Sequence, residues 1–281
     1  MISRYSNLTK LAFIIGTLSI AGGASAGAPP PLPAGPGDCS LLEAELGVGA
    51  GGTPGALQAR LDATNVDAAT NGGFGLDMWG TIVNRDGFVC AVAHTGANRG
   101  EQWPASRAIS AQKASTANSL SLPGLALSTA NLYASAQPGG SLFGVQFSNP
   151  VDAAAAYAGD PTDYGMPADP MVGNRVGGHN VFGGGFALYG SDGALLGGLG
   201  VSGDTSCKDH NYGWQVRNAL GLDFVPGGIS GDPARPDNIV YDMKKASRGK
   251  IKSKSAFGHV DCGLGEKAIS ETLPPVSVVA P

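Results

Sequence analysis

The strongest constraint on this chain is one glycine-dense run, Gly197-Gly198-Leu199-Gly200-Val201-Ser202-Gly203-Asp204-Thr205-Ser206-Cys207-Lys208-Asp209-His210. Ahead of it, the run Phe186 to Tyr189, the turn Gly190-Ser191-Asp192-Gly193 and the run Ala194 to Leu196 predict a hairpin. Behind it, Trp214, Val216 and Leu220 recur at helical spacing. The run therefore joins a strand to a helix, with His210 on the first turn. Small residues at such a junction let backbone N–H groups approach a ligand, and part of any binding site is expected here.

A second stretch has the same plan. Met78 to Val83, the turn Asn84-Arg85-Asp86-Gly87 and Phe88 to Ala93 form a strong hairpin signal, because Asp-Gly supplies the positive φ of a tight turn. A helix comes next, from Ser106 to Leu120, with Ile109, Lys113, Ala117 and Leu120 along one face. Hairpin-helix twice predicts a mixed α/β (α+β) domain in which an antiparallel sheet carries helices on a face. Further helices are expected from Thr53 to Leu61 and from Leu125 to Ala136, and a short strand over Phe143 to Phe147. Asn149 to Gly178 is rich in proline and glycine and reads as a long surface excursion. The 45 glycines in 281 residues fit such a loop-rich globular fold.

The N-terminus reads as a targeting segment. Arg4 and Lys10 precede the apolar run Leu11 to Ile20, and Ala24-Ser25-Ala26 is a small-x-small cleavage signature. The apolar run is shorter than the ~20 residues a membrane span needs, so the reading is a secreted or periplasmic protein starting at Gly27. The division is then 1–26 signal peptide, 27–38 proline-rich leader, 39–222 the α/β domain, and 223–281 a C-terminal extension ending in a disordered tail. Removing the first segment leaves 16 basic against 22 acidic residues, a net charge of −6, which disfavours nucleic acid as a partner. Cys39, Cys90, Cys207 and Cys262 are an even number in an exported chain and predict two disulfides. Three connectivities are open; Cys39–Cys90 with Cys207–Cys262 is preferred, because each bond ties a terminal extension to the centre of the chain. No C-x-x-C spacing supports a zinc site instead.

Ser106-Arg107-Ala108-Ile109-Ser110-Ala111-Gln112-Lys113-Ala114-Ser115-Thr116-Ala117 is similar to the helix motif of the GlcG/HbpS haem-binding family. That family also includes the C-terminal domain of some corrinoid adenosyltransferases. Its glycine loop resembles Gly177-Gly178-His179-Asn180, with Asn180 where the family has proline, and its third motif resembles Gly200-Val201-Ser202-Gly203 with Asp209 shortly after. The likeness covers about Leu76 to Leu220. It implies about five antiparallel strands flanked by helices, a homo-oligomer, and a noncovalently bound haem or related tetrapyrrole. The cysteines and the C-terminal extension have no counterpart in the compact family domain.

The residues offer several chemistries. Gly198 to Gly203 matches G-x-G-x-x-G, but the preceding strand closes a hairpin and the residues after Asp223 do not read as a further parallel strand, so a dinucleotide site is not expected. Gly200-Val201-Ser202-Gly203 lacks the spacing of a nucleophile elbow. His94 reads as a strand residue without a role, and Lys113 as a core lysine whose amine reaches out to water. His210 and His259 each lie three residues from a cysteine of the preferred second disulfide, which would bring the imidazoles together as ligands for haem iron or copper, or as a structural pair. The expected site thus comprises His210, His179, His259, Asp209, Gly177, Gly178, Gly200, Ser202 and Gly203, with His210 and His259 as metal ligands. The basic run Lys244, Lys245, Arg248, Lys250, Lys252 and Lys254 reads as a solvated face or as a partner for propionates. The leading functional reading is an exported binder of haem or another small ligand; the alternatives are a redox or small-molecule enzyme using the same pocket, and a structural oligomer without a ligand.

Overall fold

In a computed structural model, residues 38–65, 71–245 and 251–279 are described. The expected signal peptide, nearly all of the expected leader, and Arg248 and Lys250 of the basic run lie outside the described residues. No described helix is long and apolar enough to cross a membrane.

The two expected hairpins form the sheet. Strands β1 (Trp79–Asn84), β2 (Val89–His94), β3 (Gly185–Tyr189) and β4 (Leu195–Ser202) pair antiparallel in the order β2-β1-β4-β3. Among the described residues the main sheet thus has four strands, against the expected five or so. Gly87 takes φ +82° in the first turn, as the Asp-Gly pair requires. Register places Trp79 between His94 on β2 and Ser202 on β4.

Both faces of the sheet are covered. Helices α1 (Ser40–Leu46) and α2 (Thr53–Asn65) pack on one face together with the helix at Ser206–Leu220; Leu57, Leu61, Ile82, Leu199, Tyr212 and Val216 are buried there. Helix α3 (Ala105–Leu120) covers the other, where Trp79, Val83 and Val92 meet Ala108, Ala111 and Ala114. The buried face of α3 is built from small residues, and Ile109 is only half-buried. The cause is how closely α3 approaches β4. A Cβ on Gly200 would lie 1.9 Å from the Ser110 carbonyl oxygen, and one on Gly198 2.3 Å from that of Ala114. Only glycine admits a helix at that distance.

Three expectations are corrected between α3 and β3. Leu125 to Ala136 is no continuous helix: it runs extended, makes a 3-10 turn at Thr129–Leu132 and ends in α4 (Tyr133–Ala136). Side chains that bond elsewhere stop helix propagation. Thr129 Oγ1 accepts from the Gly185 N–H and donates to Phe182 O, and the Ser128 N–H bonds to Asn131 Oδ1. Phe143 to Phe147 is not a strand, because Gly144 at φ +93° turns the chain into α5 (Val145–Ser148) and leaves both phenylalanines exposed. The excursion from Asn149 to Gly178 carries α6 (Ala153–Ala156), and it is more than a surface loop. Ala156, Met171 and Val176 complete the core beneath α3, and the Arg107 guanidinium forms a buried bidentate pair with Asp169.

Helix α7 (Ser206–Leu220) begins at the end of the glycine run. The C-terminal extension wraps around it through the short ribbon β5 (Met243–Lys245) and β6 (Ile251–Ser253) and then α8 (Glu266–Ser270). Arg217 pairs with Asp237 at 2.7 Å, and both are fully buried. The tail after Glu271 packs rather than hanging free: Leu273 is buried against Phe186 and Trp214, and the Trp214 indole donates to Pro274 O. The sulfurs are joined Cys39–Cys90 and Cys207–Cys262, tying α1 to β2 and α7 to the extension.

Candidate functional site

The glycine run at the β4–α7 junction serves the protein's own packing. Besides Gly198 and Gly200, Gly203 leaves no room for a Cβ, which would stand 2.1 Å from Asp77 O. Its N–H and that of Asp204 donate to Asp209 Oδ1 at 3.1 and 3.0 Å. Asp209 Oδ2 takes the Lys113 amine at 2.7 Å, and the same amine donates to Val201 O. Lys113 therefore does not reach out to water. Burial raises the Asp209 carboxyl to about 6 against the pull of Lys113, and burial lowers the lysine. Ser202 is buried in the sheet. The Gly203 N–H and the Asp209 carboxylate are thus spent within the protein.

The three histidines expected in the site differ in access. His210 is fully buried beside Phe186 and Trp214. Its Nε2 lies 3.0 Å from the Ile239 nitrogen and 3.1 Å from Asn238 Oδ1, and burial lowers its pKa to about 3. His259, also buried, has Nδ1 2.7 Å from Val260 O and packs at a tilt against Tyr133, and burial lowers it to about 4. The two flank the start of α7, and no group of three or more His, Cys, Asp or Glu among the described residues is arranged to hold a metal. An iron ligand needs a nitrogen lone pair facing room for a porphyrin, and His210 has its Nε2 engaged inside the core. His210 is thus held in the core through Nε2, while its Nδ1 is buried without a partner. His179 lies elsewhere, on the glycine loop over the middle of α3. There Gly178 packs against Gln112, and the His179 ring is half-buried with Nδ1 unpartnered. Burial lowers its pKa.

Open space lies at the other end of α3. A cleft of about 530 Å³ is lined by Trp79, Asn98, Arg99, Pro104, Tyr157 and Tyr164. Its outer wall belongs to the excursion, which Arg107 pins to the first turn of α3. The guanidinium bonds Asp169 through Nε at 2.9 Å and through Nη2, donates from Nη1 to Ala156 O at 2.6 Å, and sits 3.6 Å from the centre of the Tyr164 ring. Asp169 also accepts from the Gly165 and Met171 N–H groups. Trp79 is buried, yet its Nε1–H has no acceptor. A second cleft of about 290 Å³ lies beside His94, between α2 and the Gly165-Met166-Pro167 turn. The His94 ring packs edge-on against Trp79 at 5.0 Å.

Sequence reasoning passes over this end of the molecule. His94 reads there as a residue without a role, and Trp79, Arg99, Tyr157 and Tyr164 carry no motif. The available signal is the excursion itself, since a loop of that length in a compact domain is commonly functional.

An antiparallel sheet with α3 seated on a glycine-bearing strand, reached through hairpin-helix units, defines a small α/β class, and the sequence places the chain within it. A family model described as haem degrading protein HbpS-like matches residues 60–215, more than half of the chain, and the protein belongs to that family. Three solved structures are similar. A Klebsiella pneumoniae protein called ORFY is 21% identical with TM-score 0.39, covering 59% of this chain and 88% of its own. A PduOC:haem complex is 22% identical with TM-score 0.39, covering 57% and 89%. HbpS is 17% identical with TM-score 0.35, covering 59% and 87%. No curated protein matches the chain.

Proposed function

We propose that this protein is an exported haem binder that seats the tetrapyrrole in the cleft between α3 and the excursion. The observation that carries the reading is the character of that cleft: about 530 Å³, walled by Trp79, Tyr157 and Tyr164, with Arg99 exposed beside it. A porphyrin needs flat apolar walls for its faces and cations for its propionates, and both residue types are present. Membership of the HbpS-like family supports the ligand class. Bound haem would supply a redox-active iron. The protein's part is to exclude water through the aromatic walls and to orient the carboxylates through Arg99. Export is supported by the two disulfides, which persist in oxidising compartments.

Hemin titration followed by absorbance tests this. The wild type should give a saturable Soret change. Tyr157→Ala should weaken binding ~3–10-fold, from lost aromatic contact of about 0.5–1.5 kcal/mol. Arg99→Ala should weaken it ~2–5-fold, since an exposed ion pair contributes about 0.2–1 kcal/mol. Unchanged affinity in both variants would move the ligand to the glycine loop if His179→Ala loses binding, and to the β4–α7 junction if His210→Ala does. A wild type that binds no tetrapyrrole overturns the reading altogether.

A further inference from the structure

We infer that the smaller cleft beside α2 is a soft-metal site that holds one cuprous ion between His94 Nε2 and the thioether of Met166. The inference stands apart from the haem reading and uses a different cleft.

The first donor is set up for coordination. His94 Nδ1 lies 3.0 Å from Thr95 O, so Nδ1–H donates there and leaves the lone pair on Nε2. No described residue takes Nε2 in a hydrogen bond. The residue is only 9% exposed and its ring is held edge-on by Trp79, so it loses little freedom on binding an ion. Of the imidazole nitrogens in His94, His210 and His259, this Nε2 alone combines an anchored partner nitrogen with a face on an open cleft.

The second donor arrives on a rigid turn. Gly165 runs along the imidazole edge so closely that a Cβ there would lie 2.3 Å from His94 Cδ2 and 3.2 Å from Nε2. Its φ of +81° directs the chain so that the next residue, Met166, lines the cleft. The Met166 N–H donates to Asp163 O, and Met166 O accepts from the Asp169 N–H, whose carboxylate is paired with Arg107. The turn carrying the sulfur is therefore fixed to α3, and the imidazole to the sheet.

The chemistry of the pair selects the ion. Thioether with imidazole is a soft donor set that favours Cu(I), whereas a structural zinc site wants four N, S or O ligands. Neither a carboxylate nor a cysteine lines the cleft. The surrounding charge suits a cation. Behind Gly96, a wall residue, Asp77 Oδ2 and Glu101 Oε2 lie within 3.0 and 2.6 Å of where a Cβ would be, and neither Lys nor Arg lines the space.

The test is anaerobic competition of the disulfide-intact protein with bicinchoninate for Cu(I), using ascorbate and no thiol. One equivalent should bind. Met166→Leu, which conserves volume, and His94→Ala should each weaken binding at least ~10-fold, while His210→Ala should leave it unchanged. Ag(I) added to the wild type should shift the His94 ring nitrogen and Met166 methyl resonances, a readout that needs no variant to fold. Failure to bind a stoichiometric ion, equal affinity in Met166→Leu, or silver shifts confined to other residues would overturn the assignment. So would a His94→Ala variant that loses hemin but keeps Cu(I), which would make His94 a haem ligand instead. Hemin binding to Met166→Leu should match the wild type, so the two readings fail separately.

Discussion

The β4–α7 junction and the cleft beneath the excursion carry opposite densities of signal and of open space. At the junction, glycines, a histidine, an acid and a cysteine crowd into fourteen residues, and the fold consumes nearly all of their potential. Gly200 and Gly203 are there because α3 and the Asp77 backbone come too close for a Cβ, and Asp209 is filled by Lys113 and two backbone N–H groups. At the cleft, ordinary residues from β1, the loop before α3 and the excursion meet across open space. Motif density in this chain marks close approach of protein to protein. Open space lies where distant segments fail to close.

Two of the buried ion pairs give the largest test of that contrast. Lys113–Asp209 joins α3 to the junction, and Arg107–Asp169 joins α3 to the excursion. Removing either cation leaves a carboxylate buried and unpaired, which costs about 3–5 kcal/mol. The losses should differ in kind. Lys113→Ala should lower the global unfolding free energy in urea. Arg107→Ala should in addition release the excursion, giving rapid proteolysis between residues 149 and 178 and loss of the aromatic cleft. If Arg107→Ala leaves the excursion as protease-resistant as in the wild type, the ion pair is not what holds that wall.

Glycine substitutions give the next largest effect. Gly200→Ala places a methyl 1.9 Å from a backbone oxygen that cannot move without shifting α3, and should cost about 3 kcal/mol. Gly177, at φ +61° with nothing near its missing Cβ, carries only a conformational cost, about 1–2 kcal/mol for alanine. Equal losses in urea melts would refute the division into packing and turn glycines.

Acid should act mainly through the junction. The folded pKa values of His210, about 3, and His259, about 4, lie below the unfolded value near 6.5. The unfolded chain therefore binds more protons between those limits, and stability rises as pH climbs from about 3 to 6.5. Asp209 works in reverse: its folded value of about 6 lies above the unfolded one, so its contribution falls as pH rises from about 4 to 6. Two histidines outweigh one aspartate, and the melting temperature should climb from pH 4 to 6.5. His210→Gln should flatten that climb, and an unchanged slope would place the titration elsewhere.

Hairpins, the long helices α3 and α7 and the positions of the main loops were legible because each rests on local chemistry: Asp86-Gly87 for a turn, apolar spacing at Trp214, Val216 and Leu220 for a helix. The site was not. The sequence cannot show that Gly200 faces Ser110 O rather than a ligand, since close approach by either demands the same missing Cβ. Nor does it show that Asn238 and Ile239, some thirty residues on, return to occupy His210 Nε2. The segment Leu125 to Ala136 misled because its helix-forming alanines are overruled by Thr129, whose hydroxyl bonds across to Phe182 O and the Gly185 N–H. The tail looked solvated because Leu273 finds its partners, Phe186 and Trp214, only in the folded state.

The smallest expected effect separates the two regions by salt. Arg99 is exposed beside the cleft, so its attraction for an anionic ligand is screened beyond a Debye length of ~10 Å at 0.1 M salt. Raising the salt from about 0.02 to about 0.5 M should weaken hemin binding by only ~2–3-fold, within the worth of one exposed pair. Arg217 and Asp237 are sealed from solvent at 2.7 Å, so the same change should leave their contribution to stability intact. Hemin affinity should therefore drift with salt while the urea midpoint of Arg217→Met relative to wild type stays constant. An affinity in the wild type that ignores salt, or that drifts equally in Arg99→Ala, would show that Arg99 does not meet the propionates and that the aromatic walls alone hold the ligand.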